Sequence, residues 1–144
     1  MKTLSNKLFV LILFLALLGL ADATYLTVSH YTSQGVSCSL TNGCEAVLTS
    51  KYATVLGLPI ALFGIGYYAA IFFLVYYYKQ NETRRIWDIV AILSSLGFVT
   101  TLYLVYLQVF VIRAICQYCI VSAGLTTMIV IIILINWFVK KRVS

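Results

Sequence analysis

The sequence predicts an all-α integral membrane protein: a bundle of four transmembrane helices with an extracytoplasmic loop that carries a short lid helix. Three observations carry this expectation. Of the 144 residues, 62% are hydrophobic and only 10% are charged, more apolar surface than a soluble domain of this size can hide. The apolar residues gather into four runs, about 8–28, 55–78, 86–112 and 116–139, each with at least the roughly 20 residues that cross a bilayer. Eight of the ten Lys and Arg residues flank these runs on one side.

The first run, Leu8 to Val28, is interrupted only by Asp22. With Lys2, Lys7 and Ala21-Asp22-Ala23 it also resembles a cleaved signal peptide, which would remove residues 1–23. Apolar character continues past that site through Tyr25, Leu26 and Val28, as a retained span requires. Asp22 falls near the outer end of this run. An ionisable residue there is a functional candidate by default, and snorkelling to the interface is the plainer alternative. The loop of residues 30–54 follows. Asn42-Gly43 is a turn signal that can bring Cys38 and Cys44 within disulfide range. A short helix from Cys44 to Ser50, with Ala46, Val47 and Leu48 apolar, can lie on the membrane surface as a lid over the bundle.

Pro59 fits the first turn of the second span. Gly57, Gly64 and Gly66, and the serines and threonines of the third span, read as helix-packing residues. Gln108, near the outer end of span three, can donate to a ligand carbonyl or bond another helix. Tyr76 to Tyr78, Trp87 and Trp137 read as an interfacial aromatic belt.

Lys2, Lys7, Lys79, Arg84, Arg85, Lys140, Lys141 and Arg142 all fall on one side of the spans, and only Lys51 and Arg113 on the other. By the positive-inside rule both termini are cytoplasmic, and the whole chain, residues 1–144, is one multi-pass domain of the cell membrane. The net charge of +6 lies at the ends of apolar runs, where headgroups sit, and so does not point to nucleic acid. No phosphate-binding loop and no internal repeat is present.

This topology places all four cysteines, Cys38, Cys44, Cys116 and Cys119, on the side where disulfides persist. Cys116-Gln117-Tyr118-Cys119 opens the last span. A C-x-x-C at a helix N-terminus is a redox-capable dithiol, because the helix dipole favours thiolate. It is also a poor brace, since closing so short a loop gains little entropy. One dithiol on an aqueous loop and a second at the top of a membrane helix can pass oxidation state between them by thiol–disulfide exchange. Two alternatives remain open. One is a non-enzymatic membrane scaffold with structural disulfides. The other is a thiolate metal-handling protein, although the Cys38–Cys44 spacing is wider than a usual ligand pair and His30 is the sole histidine.

Several stretches together resemble the vitamin K epoxide reductase family, in particular its prokaryotic, disulfide-forming branch. They are Tyr25-Leu26-Thr27 with His30-Tyr31, Cys38 to Cys44, Ser50 with Tyr52, Gly57-Leu58-Pro59-Ile60-Ala61-Leu62, Tyr103-Leu104 to Gln108, and the C-x-x-C itself. The resemblance implies a membrane enzyme that oxidises a separate, extracytoplasmic thioredoxin-like partner and reduces a quinone of the ubiquinone or menaquinone type. Cys116 and Cys119 would be the membrane-embedded pair, with Cys119 facing the quinone. Cys38 would take the partner's attack, and Cys44 would exchange with Cys116. Ser50 matches a serine near the quinone headgroup, and Tyr52 walls that pocket. The family's vertebrate enzymes have a tyrosine where this chain has Ala123, and an asparagine in span two that this chain lacks. Plain quinone reduction is therefore the expected chemistry rather than epoxide reduction. No metal is expected.

Overall fold

Four helices long and apolar enough to cross a membrane dominate the chain in a computed structural model that describes residues 4–32 and 43–143. The first, α1, spans Asn6–Thr32. A short α2 at Cys44–Leu48 leads into a 3-10 turn, Lys51–Ala53. Strands β1, Thr54–Val55, and β2, Leu58–Pro59, pair antiparallel. Helix α3 covers Ile60–Asn81 and α4 covers Arg84–Tyr106. A π-helical segment, Leu107–Ile112, continues α4, and α5 runs from Gln117 to Val143. Cys38 and Asn42, which carry the expected disulfide partner and turn, lie outside the described residues.

The second long helix begins at Ile60, later than the expected Val55. The intervening residues form a hairpin, with Leu56 (φ 55°) and Gly57 (φ 80°) in its turn. Two consecutive positive φ values suit a two-residue hairpin connection, and Gly57 adopts one without steric cost. Pro59 accordingly sits at the N-cap of α3, one residue outside the helix. At the other end of α3, Glu82 turns left-handed and donates its N–H to the Tyr78 carbonyl at 2.7 Å, which ends the helix before α4 starts.

The helices pack around Ile12, Ala16, Ile71, Val75, Val90, Ile129 and Ile133, all buried. The outward faces stay apolar, with Phe73, Val99 and Phe110 exposed, as lipid contact requires. Leu4, Lys79, Tyr78, Asp88, Trp137 and Lys140 meet at one end of the bundle. There Lys79 Nζ donates to the Leu4 carbonyl at 2.9 Å, Trp137 Nε1 donates to Asp88 Oδ1 at 2.9 Å, and Lys140 Nζ donates to Tyr78 Oη. Tyr78 and Trp87 were expected in an interfacial belt, but both are buried and their rings pack 4.7 Å apart inside the bundle. Tyr76 and Tyr77 do face outward.

Three helices are joined through one side chain. Tyr68 on α3 is buried, and its hydroxyl lies 2.8 Å from Ser122 Oγ and 2.9 Å from Thr126 Oγ1, both on α5. Its ring lies against Gly19 of α1, where a Cβ would collide with it. Removing the hydroxyl in Tyr68→Phe should cost about 1 kcal/mol, the usual range for a hydrogen bond between membrane helices. Gly19→Val should cost about 1–3 kcal/mol by overpacking. Denaturation of the purified protein in detergent measures both, and Gly19→Val should be the more damaging.

Candidate functional site

At the end of the bundle opposite Lys79 and Asp88, the helices part around a cavity of about 360 Å³. Tyr68, Ser122 and Thr126 form part of its wall. Helix α1 contributes Asp22, Leu26 and His30, spaced four residues apart on one face. Helix α4 and the π segment contribute Gly97, Thr100, Leu104 and Gln108, among others. Val47, Leu48, Ser50, Tyr52 and Ala53 close the cavity from the connecting segment. The short α2 is thus a wall of the cavity.

Of the C-x-x-C pair, Cys119 lines this cavity and Cys116 does not. Cys116 is fully buried and packs with Cys44 and Val47 in a separate apolar cluster that Cys119, Tyr118, Leu48, Ile112 and Ala114 surround. Cys44 is engaged in a disulfide, whereas Cys116 and Cys119 are free thiols. Cys44 and Cys116 therefore pack together, and only the second sulfur of the C-x-x-C reaches the cavity.

Two features seat Cys44 beside Cys116. Gly43 lies directly on the chain before the C-x-x-C. A Cβ on Gly43 would come within 2.6 Å of the Ile115 nitrogen and 2.7 Å of its oxygen. Those atoms belong to the backbone and cannot swing aside. The π segment supplies the second feature. Its wider turn leaves Gln108 buried, with the side-chain Oε1 accepting the Cys116 N–H at 3.1 Å and the backbone carbonyl accepting from Ala114 at 3.1 Å. Of the two roles the sequence offers for Gln108, the structure uses the bond within the protein, and Gln108 lines the cavity as well.

Cys116 is the N-cap of α5, since its carbonyl accepts the N–H of Ile120 at 3.1 Å. A hydrogen bond from the Cys119 thiol pulls the Cys116 thiol down from 9.0 to about 7. The backbone N–H groups of Cys119 and Tyr118 act in the same direction, while burial and the charge of Asp22 oppose it. The arrangement makes Cys116 the stronger nucleophile of an ordinary C-x-x-C site. Tyr118, the residue between, packs its ring 5.2 Å from that of Tyr25 and ties the motif to α1.

Ser50 and Tyr52 are half-buried on the cavity wall. The Ser50 hydroxyl donates to the Val47 carbonyl at 2.7 Å, closing the end of α2. Lys51 Nζ sits 5.2 Å from the centre of the Tyr52 ring. Ala123 lines the cavity with only a methyl group. Among the described residues, no group of three His, Cys, Asp or Glu side chains is placed to hold a metal ion.

Asp22 lies on the cavity wall contributed by α1. Helix α1 runs on to Thr32, which leaves the carboxyl ten residues from that end, about 15 Å along the axis. Its Oδ2 is buried without a hydrogen-bond partner. Tyr67 and Tyr68 also line the cavity. The signal for them was a pair of tyrosines in the middle of an apolar span, away from either interface.

The cavity fits a quinone ring. It falls within the size range of small-molecule pockets and is mainly apolar with a few polar groups. A thiol able to give up electrons lies on its wall. Residues 10–134 match the model of the Vitamin K epoxide reductase family. Its members are membrane oxidoreductases that use a quinone and act with thioredoxin-like proteins.

Two outcomes follow from the geometry. Gly43→Ala should lift α2 off Ile115 and slow exchange between Cys44 and Cys116 by roughly tenfold to a hundredfold; mass spectrometry of acid-quenched disulfides measures this. Cys119→Ala should raise the Cys116 pKa from about 7 toward 9, because the thiolate loses its largest stabilising partner. Thiolate absorbance during a pH titration of the reduced protein reads the change. At neutral pH the variant should therefore hold less thiolate than the wild type.

Proposed function

The chain belongs to the vitamin K epoxide reductase family, and from that premise we propose that it oxidises a thioredoxin-like protein on the extracytoplasmic side and passes the electrons to a membrane quinone. The observation that carries this reading is the division of the inner pair: Cys116 packs with Cys44, and Cys119 lines the cavity.

In this reading Cys38 and Cys44 form the outer disulfide. A thiolate of the partner attacks Cys38. A second partner thiol closes the partner's own disulfide and leaves Cys38 and Cys44 reduced. Cys44 then attacks the Cys116–Cys119 disulfide at Cys116, and Cys38 resolves the mixed disulfide. The outer pair ends oxidised and the inner pair ends as two thiols. That redox state, with Cys44 in a disulfide and Cys116 and Cys119 free, is consistent with the described thiols. A quinone in the cavity accepts two electrons and two protons. Cys116 closes the disulfide on Cys119, and the relay is reset.

Within that scheme Ser50 and Tyr52 wall the quinone from the lid side, and the Gln108 side chain holds the Cys116 backbone in place for exchange. Ala123 offers no hydroxyl to the cavity, which favours quinone reduction over epoxide chemistry. The basic residues near Lys79 and Lys140 would face the cytoplasm, and the cysteines the opposite compartment.

Purified protein mixed with a reduced thioredoxin-like protein and a short-chain ubiquinone analogue tests the proposal. Quinone absorbance should fall with wild type and fail to fall with Cys119→Ala or Cys116→Ala. Cys38→Ala should block the protein partner while sparing a small dithiol. Quinone reduction that survives in Cys116→Ala and Cys119→Ala would sink the mechanism.

A further inference from the structure

Three side-chain polar atoms among the described residues are buried without a hydrogen-bond partner: Asp22 Oδ2, Tyr67 Oη and Trp87 Nε1. Two of the three, on Asp22 and Tyr67, belong to residues that line the cavity shared with Cys119. An orphaned polar atom is costly to bury, and an ionisable group within a span is costlier still. Two such atoms on one cavity wall indicate a ligand that carries polar oxygen.

Asp22 is the only carboxyl among the lining residues, and no Lys or Arg lines the cavity to pair with it. The ionisable groups facing the same space are Tyr67 and Tyr68 on α3, Cys119 on α5, Tyr52 from the lid side and His30 on α1 itself; α4 contributes none. The Tyr68 hydroxyl is already bonded to Ser122 and Thr126. The charge of Asp22 also reaches Cys116, where it opposes the thiolate.

We propose that Asp22 is the proton-transfer residue of this cavity, handing a proton to an oxygen of the bound quinone as the Cys116–Cys119 pair is oxidised. This rests on the quinone-reducing reading of the site. Closing the disulfide releases two electrons, and forming a hydroquinone takes up two electrons and two protons. Cys116 does not line the cavity, and as a thiolate it has already lost its proton to water. The Cys119 thiol therefore supplies one proton, and the Asp22 carboxyl supplies the other. The products are the disulfide, the hydroquinone and the Asp22 carboxylate, with one negative charge on each side of the step. His30 lies at the exposed end of the same α1 face, and the carboxylate regains its proton from water entering past it.

The test uses the full chain with dithiothreitol as reductant and a short-chain ubiquinone analogue as acceptor. Asp22→Asn keeps the shape and removes the transferable proton. It should lower kcat for quinone reduction on the order of a hundredfold, the usual scale for a lost general acid. Reduction of the inner disulfide by dithiothreitol without quinone should not fall below the wild-type rate, because removing the Asp22 charge removes only an opposition to the Cys116 thiolate. An infrared difference spectrum between oxidised and reduced wild-type protein with quinone should show a carboxyl C=O change that Asp22→Asn abolishes. Asp22→Glu should regain part of the activity.

The role is overturned if Asp22→Asn reduces quinone within about threefold of wild type, a loss too small for a general acid. It is also overturned if the infrared change survives in that variant, or if dithiothreitol exchange falls in parallel, which marks a structural role. A wild-type protein that exchanges thiols but leaves quinone oxidised overturns both this role and the reading beneath it. A fully active Asp22→Asn overturns only the role of Asp22.

Discussion

A hydroxyl inside a membrane bundle has no water to turn to, so it must be satisfied by a neighbouring helix. Tyr68 meets that constraint by bonding to Ser122 and Thr126 of α5 while its ring rests on Gly19 of α1. The result is a fixed junction of α1, α3 and α5 partway along the bundle. On one side of it the core is continuous, down to the Tyr78–Trp87 pair and the Lys79–Leu4 contact. On the other side the same three helices and α4 diverge enough to leave the cavity. The tyrosine belongs to both regions, as a core residue and as part of the cavity wall.

Above that junction, backbone geometry decides which sulfur meets which. The π segment ends α4 with an extra residue per turn, and Gln108 then binds the Cys116 N–H. This fixes the start of α5. The close approach of Gly43 to Ile115 fixes the start of α2 against the same point. Cys44 and Cys116 are the next residues in each chain segment, so their pairing follows from two backbone contacts. Cys119 is three residues further on, about one helical turn, where it borders both the apolar cluster and the cavity.

Much of this was legible in the sequence, for physical reasons that differ by residue. Four spans follow from the length and purity of the apolar runs. The short helix after Gly43 follows from local pattern, and it is found at Cys44–Leu48. Three things were not legible. The start of α3 is moved to Ile60 by a hairpin whose turn includes Leu56, a residue with no preference for positive φ. Tyr78 and Trp87 pack inward although residues of their type usually mark an interface, because ring-on-ring packing is a tertiary choice that composition does not record. One carboxyl oxygen of Asp22 is buried on the cavity wall, a tertiary placement that the apolar run around it does not record.

The placement of Asp22 on the cavity wall bears on how electrons and protons separate in the proposed relay. Cys116 is lowered toward thiolate by the Cys119 thiol and by the N–H groups at the start of α5, and raised by the Asp22 charge. An ionised Asp22 and an ionised Cys116 therefore oppose one another. Once the carboxyl is neutral, the thiolate forms more readily, and the carboxyl then holds the proton that the cavity lacks. In the proposed relay electrons would enter from the Cys44 side, where Cys116 does not line the cavity, and leave on the Cys119 side, which shares the cavity with the carboxyl. A single charge repulsion thus couples the readiness of the nucleophile to the readiness of the proton donor, with the two groups on different helices and in different compartments of one small bundle.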